Sequence, residues 1–529
     1  MCFIRCVGMK GSTSSLLILQ SQIKVFINLL FVRYTAKLGI KQIFPTKRLI
    51  SVFEIMLVRL LSIIGKMLMN NDYTNELYVK HLNVSDKNNR KLPNASFVPF
   101  ETKKLKNSEL VWFNNELAQT LGFKGPSEEI EKFLLEQYSY VSEGYTKKRE
   151  VLNNERKVFW ADRYGSRHEV CNGGSARCGF DGYFQVKGIG LTPLLAQNMS
   201  KSHSHGKLFL DEAISEAIWG ELCNKQLPLG AVRTLAIIKT NVNQEFLYLD
   251  DKPMKPCALA IRQFAIRPAH FERATFFWPS SENRFLRDND AERVRECIKY
   301  IPISLGISDK ELSSKHELLS CMKLIFSKVA KQVAYSRVKG IPHGSLTSSN
   351  IGIDGRFLDF GTITAVPDFG NYVLADGVGA VWDDHFLISS WLKNLIITLN
   401  NYSSFNVAIS EENSKDLIEL FFNELNYQEN YAILEELDVK DVSVRNINLA
   451  QKVKDSLVSL NRRSLAEFCS ESFKKTIYET ATREGLIVGN IKFELRDFKY
   501  SAFNILNDEN LISSRYSKGA INKLISNYC

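Results

Sequence analysis

The sequence lacks the cysteine spacing that would commit it to zinc or redox chemistry. Its ten cysteines, at positions 2, 6, 171, 178, 223, 257, 297, 321, 469 and 529, include no C-x-x-C pair and no dense, regular set. A zinc ribbon, a thioredoxin-type motif and a disulfide scaffold are all excluded on that ground, and such scattered thiols predict a cytoplasmic protein. Long apolar runs are missing too: no stretch reaches the roughly 18–20 uninterrupted apolar residues that a membrane-spanning helix needs. There is no internal repeat and no low-complexity tract. Acidic residues are nearly absent from residues 1–68, where ten Lys and Arg face only Glu54, so almost all of the formal net charge of +10 sits there. The remainder is close to neutral and has no cluster of Lys and Arg to track a phosphate backbone, so nucleic acid is not an expected partner.

Residues 1–68 form a basic, apolar N-terminal segment whose hydrophobic runs are broken by Lys24, Arg33, Glu54 and Arg59. It has no clean secretory pattern of basic region, single apolar block and small-residue cleavage site. The expectation is that translation begins at Met67 or Met69. The other reading is a basic amphipathic segment on a membrane surface, and membrane contact is expected only if residues 1–68 are real.

What is present is ample apolar material, 45% of 529 residues, enough for more than one domain. Residues 69–150 are polar and mixed and read as an N-terminal extension, with a helix around 128–138. Residues 151–292 alternate short aliphatic and aromatic β-runs, at 183–187, 232–239, 245–249 and 258–265, with one strong helix over 208–225 that ends before Pro228. Residues 293–529 turn mostly helical, with 314–338, 416–425 and 464–480 the clearest segments. The exception is a β-hairpin over 350–359. This order of elements predicts an α+β fold, a smaller β-rich part followed by a larger helical one.

The residues that suggest chemistry sit in this β-rich part and in the hairpin. Asp354-Gly355 between two apolar runs predicts a two-residue hairpin turn. A turn centred there makes Asn350 and Asp359 direct partners, with Cα atoms roughly 4.5–5.5 Å apart. An amide oxygen and a carboxylate so placed can seat a hard cation. Upstream, Gln185-Val186-Lys187-Gly188-Ile189-Gly190 ends a β-run on a lysine followed by Gly-x-Gly, which can bring backbone and ammonium close to phosphates. Glu212, Glu216 and Glu221 on the following helix are candidates to pair with Lys187 and aim it. Gly173-Gly174-Ser175-Ala176-Arg177 stands where a glycine-rich phosphate loop is expected, and reads equally as an ordinary flexible turn. His203 and His205, in a polar loop, are candidate metal ligands or solvated side chains. Arg262 lies in a β-run, where burial would call for an anionic partner.

In this order the elements resemble the SelO family, protein adenylyltransferases with a pseudokinase-like fold. The string at 185–193 is similar to Q-L-K-G-x-G-x-T-P, Gly206-Lys207 to a G-D-G-R loop, and 227–235 to G-I-P-T-T-R-A-L. Residues 260–262 are similar to T-R-V-A, with Arg262 in register, and 269–277 to S-H-I-R-V-G-T-F. The nineteen residues 343–361 align without a gap to H-G-V-M-N-T-D-N-M-x-I-x-G-x-T-I-D-Y-G. The resemblance implies a two-lobed, protein-kinase-like fold that binds ATP and Mg²⁺. It implies that Lys187 contacts the phosphates and Glu216 holds Lys187, with Glu221 the nearest rival. It implies Gly188, Gly190, Arg177, Lys207 and Arg262 around the nucleotide, and Asn350 and Asp359 on the metal. In that family ATP lies reversed relative to kinases, so that an acceptor attacks the α-phosphate.

The chain departs from that pattern at Ser349, where the family carries an acid before the metal-binding Asn, and no catalytic residue is assigned for that reason. Loss of a positioned general base typically costs ~10²–10⁴-fold in rate. Lys207 replaces an arginine and gives up bidentate phosphate recognition. More narrowly, the chain resembles the MchC/MceJ-type maturation proteins of siderophore-microcin gene clusters. That resemblance implies a role in peptide-antibiotic biosynthesis, with a precursor peptide and a small acyltransferase-like protein as partners. Two functions follow as expectations: ATP- and Mg²⁺-dependent AMP transfer or activation, and a catalytically impaired partner of a modifying acyltransferase.

Overall fold

The computed structural model describes residues 91–165, 171–199, 204–247, 250–375, 379–403, 409–465, 468, 470–508 and 517–529. The expectations for residues 1–68 and for His203 lie outside the described residues.

Alternation along strands decides the architecture around the site. Nine strands form one antiparallel sheet: β1 (Phe97–Leu105), β2 (Glu109–Phe113), β3 (Tyr140–Ser142), β4 (Val151–Asp162), β5 (Cys178–Phe180), β6 (Phe184–Lys187), β7 (Leu208–Phe209), β8 (Thr234–Glu245) and β9 (Met254–Gln263). The order is β2-β8-β9-β6-β5-β4-β1-β3, with β7 also on β9. Strands β1 to β3 come from the segment that the sequence set apart as an extension. The β-run expected at 232–239 becomes part of β8, which runs on to Glu245 and is irregular between Lys239 and Asn243. The run expected at 245–249 shares only Glu245 with it, and residues 248–249 lie outside the described residues. Successive side chains point to opposite faces. Phe184 and Val186 of β6, with Leu259 and Ile261 of β9, therefore join one apolar cluster with Leu117 and Ala118 of α1 (Asn115–Thr120). Ile130, Phe133, Leu134 and Tyr138 of α2 (Ser127–Tyr138) complete it. Gln185 and Lys187 are left on the other face. The register Gln185↔Arg262 and Lys187↔Ala260 puts Arg262 beside them.

That second face is where α3 (Leu210–Gln226) packs, with most of its length buried. Glu212 accepts the N–H of Phe209 at 3.3 Å and closes the first turn of α3, a capping contact. Past residue 289 helices dominate: α4 (Asp290–Lys299), α5 (Lys315–Lys339), α6 (Asp384–Tyr402), α7 (Glu411–Glu436), α8 (Val444–Leu457), α9 (Ser470–Glu484) and α10 (Lys518–Tyr528) are the longer ones. Ser314 caps α5 through the Glu317 N–H at 3.2 Å, and Gly340 ends it at φ 86°. The molecule is thus a mixed α/β structure, an antiparallel sheet followed by many helices. Among the described residues no helix is long and apolar enough to cross a membrane.

The 350–359 hairpin forms with a different turn. Gly355 donates to the Gly352 carbonyl at 2.9 Å and Gly352 to the Arg356 carbonyl at 2.8 Å. The bridge runs Ile351↔Phe357. This is a three-residue loop with Gly355 at φ 87° in the bulge position, not a two-residue turn. Asp354 does not take the positive φ that a type I′ turn demands of both central residues. The buried Ile353 gives its N–H to the Ile266 carbonyl at 2.8 Å, which ties the loop to the segment after β9. The pairing shifts by one residue, and Asn350 faces Leu358 instead of Asp359.

Candidate functional site

Asp359 is the point on which the site converges. Its backbone sits at φ 60°, a left-handed conformation that Asp tolerates better than most residues. Its side chain is about a fifth exposed, whereas the cations around it are almost fully buried. Lys187 Nζ donates to Asp359 Oδ1 at 2.6 Å and also to Glu216 Oε1. Arg262 Nη1 reaches the same Oδ1 at 2.9 Å, and Arg267 Nη1 reaches Oδ2 at 3.1 Å. Burial would raise the Asp359 carboxyl, but Arg262, then Lys187 and Arg267, outweigh it and hold it well below the usual carboxylate range.

Of the three acids on α3, the structure brings Glu216 to Lys187. Glu221 instead takes Arg233 Nε at 2.8 Å and the Asn114 amide at 2.7 Å. Glu212 lies 3.6 Å from Arg177. Arg177 is at the edge of the cluster, about a third exposed, and donates to the Lys207 carbonyl at 3.2 Å.

Several expected site residues face elsewhere. The Lys207 ammonium points to Gln244 Oε1 at 2.8 Å and over the Tyr145 ring, so it does not join the cations on Asp359. The N–H groups of Gly188 and Ile189 both go to the Arg177 carbonyl, and that of Gly190 goes to Gly206. These amides are not free to cradle phosphate as the motif suggested. The two glycines are required by close packing: a Cβ at Gly188 would lie 2.6 Å from the Ala258 carbonyl, and one at Gly190 2.2 Å from Ser142 Oγ. Gly173 and Gly174 are likewise pressed against the Phe277 ring and the Asp162 backbone. His205 Nδ1 accepts the Lys207 N–H at 3.0 Å. Among the described residues no group of three His, Cys, Asp or Glu converges as a metal cage.

The Asn350 amide donates to the Ser345 carbonyl at 2.8 Å, which leaves Oδ1 as its acceptor side. Asn350 and Asp359 together offer the one or two oxygens that Mg²⁺ usually takes from protein at a nucleotide site, the rest coming from phosphate and water. Both are oxygen donors of the kind that ion takes, while in this structure the Asp359 oxygens meet Lys187, Arg262 and Arg267. Ser349 Oγ shares a hydrogen bond with Thr347 Oγ1 at 2.9 Å and donates to Asn350 Oδ1 at 3.4 Å, and its carbonyl accepts from Arg267 at 2.7 Å.

Behind the cations lies a buried polar relay that sequence reasoning missed. Gln185 Oε1 accepts from Arg262 Nε at 3.0 Å and Nη2 at 2.8 Å, and Gln185 Nε2 donates to Asp162 Oδ1 at 2.9 Å. His270 Nε2 meets Asp162 Oδ2 at 3.2 Å, and the Arg267 N–H donates to His270 Nδ1 at 2.9 Å. Gln185 carried a signal, since strand alternation puts it on the face of Lys187. Arg267 caps, and His270 lies in, a single 3-10 turn (Pro268–Phe271) after β9, too short for periodicity to assign a direction.

The family model for protein adenylyltransferase SelO matches residues 170–509, and so takes in β5, β6, α3, β9 and the hairpin. The chain belongs to the SelO family. Two curated relatives are the protein nucleotidyltransferases YdiU of Vibrio vulnificus strains YJ016 and CMCP6, 24% and 23% identical over 185 residues. Those 185 residues are 35% of this chain and 33% of each relative, so the match spans about a third of the relatives' length.

Proposed function

We propose that this SelO-family chain binds ATP with Mg²⁺ in a two-lobed, kinase-like setting and transfers AMP to an acceptor. The observation that carries the reading is the buried lysine between two carboxylates: Lys187 meets Glu216 on α3 and Asp359 after the hairpin, with Arg262 alongside. A phosphate chain needs positioned cations, and an acid that fixes the lysine keeps it aimed. Lys187 and Arg262 hold the phosphates, Arg177 closes the edge, and Asn350 and Asp359 hold the metal, which when bound offsets phosphate charge. The acceptor oxygen attacks the α-phosphorus and the bond to pyrophosphate breaks.

Ser349 bears on the acceptor. A hydroxyl must lose its proton and Ser349 cannot take it, whereas a carboxylate is already ionised at neutral pH. Carboxylate activation fits a peptide-maturation role of the siderophore-microcin type, with a precursor peptide and a small acyltransferase-like protein as partners. The same Ser349 favours a second reading, a catalytically impaired nucleotide-binding partner of such an enzyme.

The test uses ATP labelled on its α-phosphate, Mg²⁺ and the protein beside Asp359→Ala. Label on protein or peptide, lost in the variant, supports transfer. No label with the native chain, but label with Ser349→Asp, supports the impaired-partner reading.

A further inference from the structure

A second group of cations lies away from the Asp359 site, and one of its members has no anion to balance it. Helices α5 and α7 pack along each other. Residues four apart on a helix share a face. Lys331, Tyr335 and Lys339 of α5 therefore form one row, and Tyr427, Tyr431 and Glu435 of α7 form another. The two rows and the end of α3, with Lys225 in its last turn, line a groove of about 550 Å³. That volume lies within the roughly 300–1,000 Å³ of ordinary small-molecule sites. None of these residues belongs to the cluster on Asp359.

The lining carries more positive charge than it neutralises. Lys339 pairs with Glu436 at 2.5 Å, and Lys225 meets the main-chain oxygen of Cys529. Glu435 is the one acid of the lining, and it engages the Tyr335 hydroxyl. Among the described residues Lys331 has no carboxylate within ion-pairing distance, and its ammonium lies 5.9 Å from the centre of the Tyr335 ring. Tyr335 is only 6% exposed, so packing fixes that wall of the groove before any ligand arrives. A lining rich in N–H and O–H donors and poor in carboxylates selects oxygen acceptors that bear negative charge. Lysine meets them as a point charge, so phosphate and carboxylate both suit it.

We infer that this groove is a second ligand site, for a small polyanion bearing phosphate or carboxylate groups, with Lys331 its principal charge. The occupant bridges the end of α3, whose middle carries Glu216, to α5 and α7. Just past the groove, Leu229 donates to Gln332 Oε1 at 3.1 Å and Gly230 accepts the Phe357 N–H at 3.4 Å, two residues before Asp359. The full chain is titrated calorimetrically with fructose bisphosphate and with citrate, which separates the phosphate source from the carboxylate one. Loss of one charged contact predicts at least tenfold weaker binding for Lys331→Gln, and Lys331→Arg should keep most of the affinity. Lys415→Gln, which removes an exposed lysine of α7 outside the groove, should change nothing. Binding of either probe that is lost in Lys331→Gln alone supports the site and names its anion class. No binding of either probe by the native chain overturns the inference. So does binding that Lys331→Gln leaves unchanged, or an equal loss in Lys415→Gln.

Discussion

Lys187 shows how much a single buried charge depends on its neighbours. Removing it strands Glu216, whose other cation, Arg262, is 3.9 Å away. Breaking a buried pair from one side typically costs ~3–5 kcal/mol, because the remaining charge stays desolvated. Lys187→Met should therefore unfold in less urea than the native chain, and Lys187→Met/Glu216→Gln should recover a large part of the loss. A double-mutant cycle measures the difference. Losses that simply add would mean that the two residues are not coupled. Both variants should also lose ATP binding, since restoring stability does not restore the ammonium.

The element that places Lys187 is a short strand closed by a tight turn, and its glycines are structural. Gly188 has φ 87°, and a Cβ there would press on the Ala258 carbonyl and on Leu208, both fixed in the sheet. Strain and overpacking act together, so Gly188→Ala should lose on the order of 2 kcal/mol. Thermal melting checks this. An unchanged melting temperature would mean that the turn has room to move. Helix α3 works on the same scale. Its residues Glu216 and Glu221 are five apart, ~140° around the axis at 100° per residue, so only one of them can face β6. The other buttresses Arg233 and so fixes the start of β8.

At the scale of the whole molecule, buried polar groups join segments that lie far apart in the chain. Arg496 donates to the carbonyls of Arg337, Val338, Val366 and Asp368, and its guanidinium lies near the rings of Phe369 and Phe473. It thereby ties the C-terminal region to the end of α5 and to the chain beyond the hairpin. His343, buried beside that hairpin, donates from Nε2 to the Leu358 carbonyl at 2.9 Å. Burial pushes its pKa down to about 4, and burial does the same to His385 beside Arg337. Both are neutral when folded, so below pH 6.5 the unfolded chain binds protons that the folded chain refuses. Stability is then complete above that pH and is lost as pH falls from 6.5 toward 4. Asp359 acts lower still: its depressed carboxyl contributes stability above the ordinary carboxylate range, which is lost as pH falls through its folded value. Urea midpoints measured from pH 7.5 down to 4.5 should fall, and His343→Gln should flatten part of that slope. An identical slope in the variant would mean that His343 is already free to protonate in the folded state.

Local pattern was enough to read the strand of Lys187, the helix of Glu216, the sheet-then-helices order and a turn near Asp354-Gly355. Each rests on alternation, helical periodicity or turn chemistry within a few residues. It was also enough to put Arg262 in a strand. Only the tertiary structure decided that Glu216 and not Glu221 meets Lys187, because that depends on how α3 is rotated against the sheet. It also set the hairpin one residue out of the expected register, since burial of Ile353 and its bond to Ile266 outweigh the two-residue turn. It turned Lys207 away from the cations and brought in Arg267, His270 and Asp162, which lie in three different segments. Contacts of that kind come from the packing of distant segments, and no local period in the chain records them.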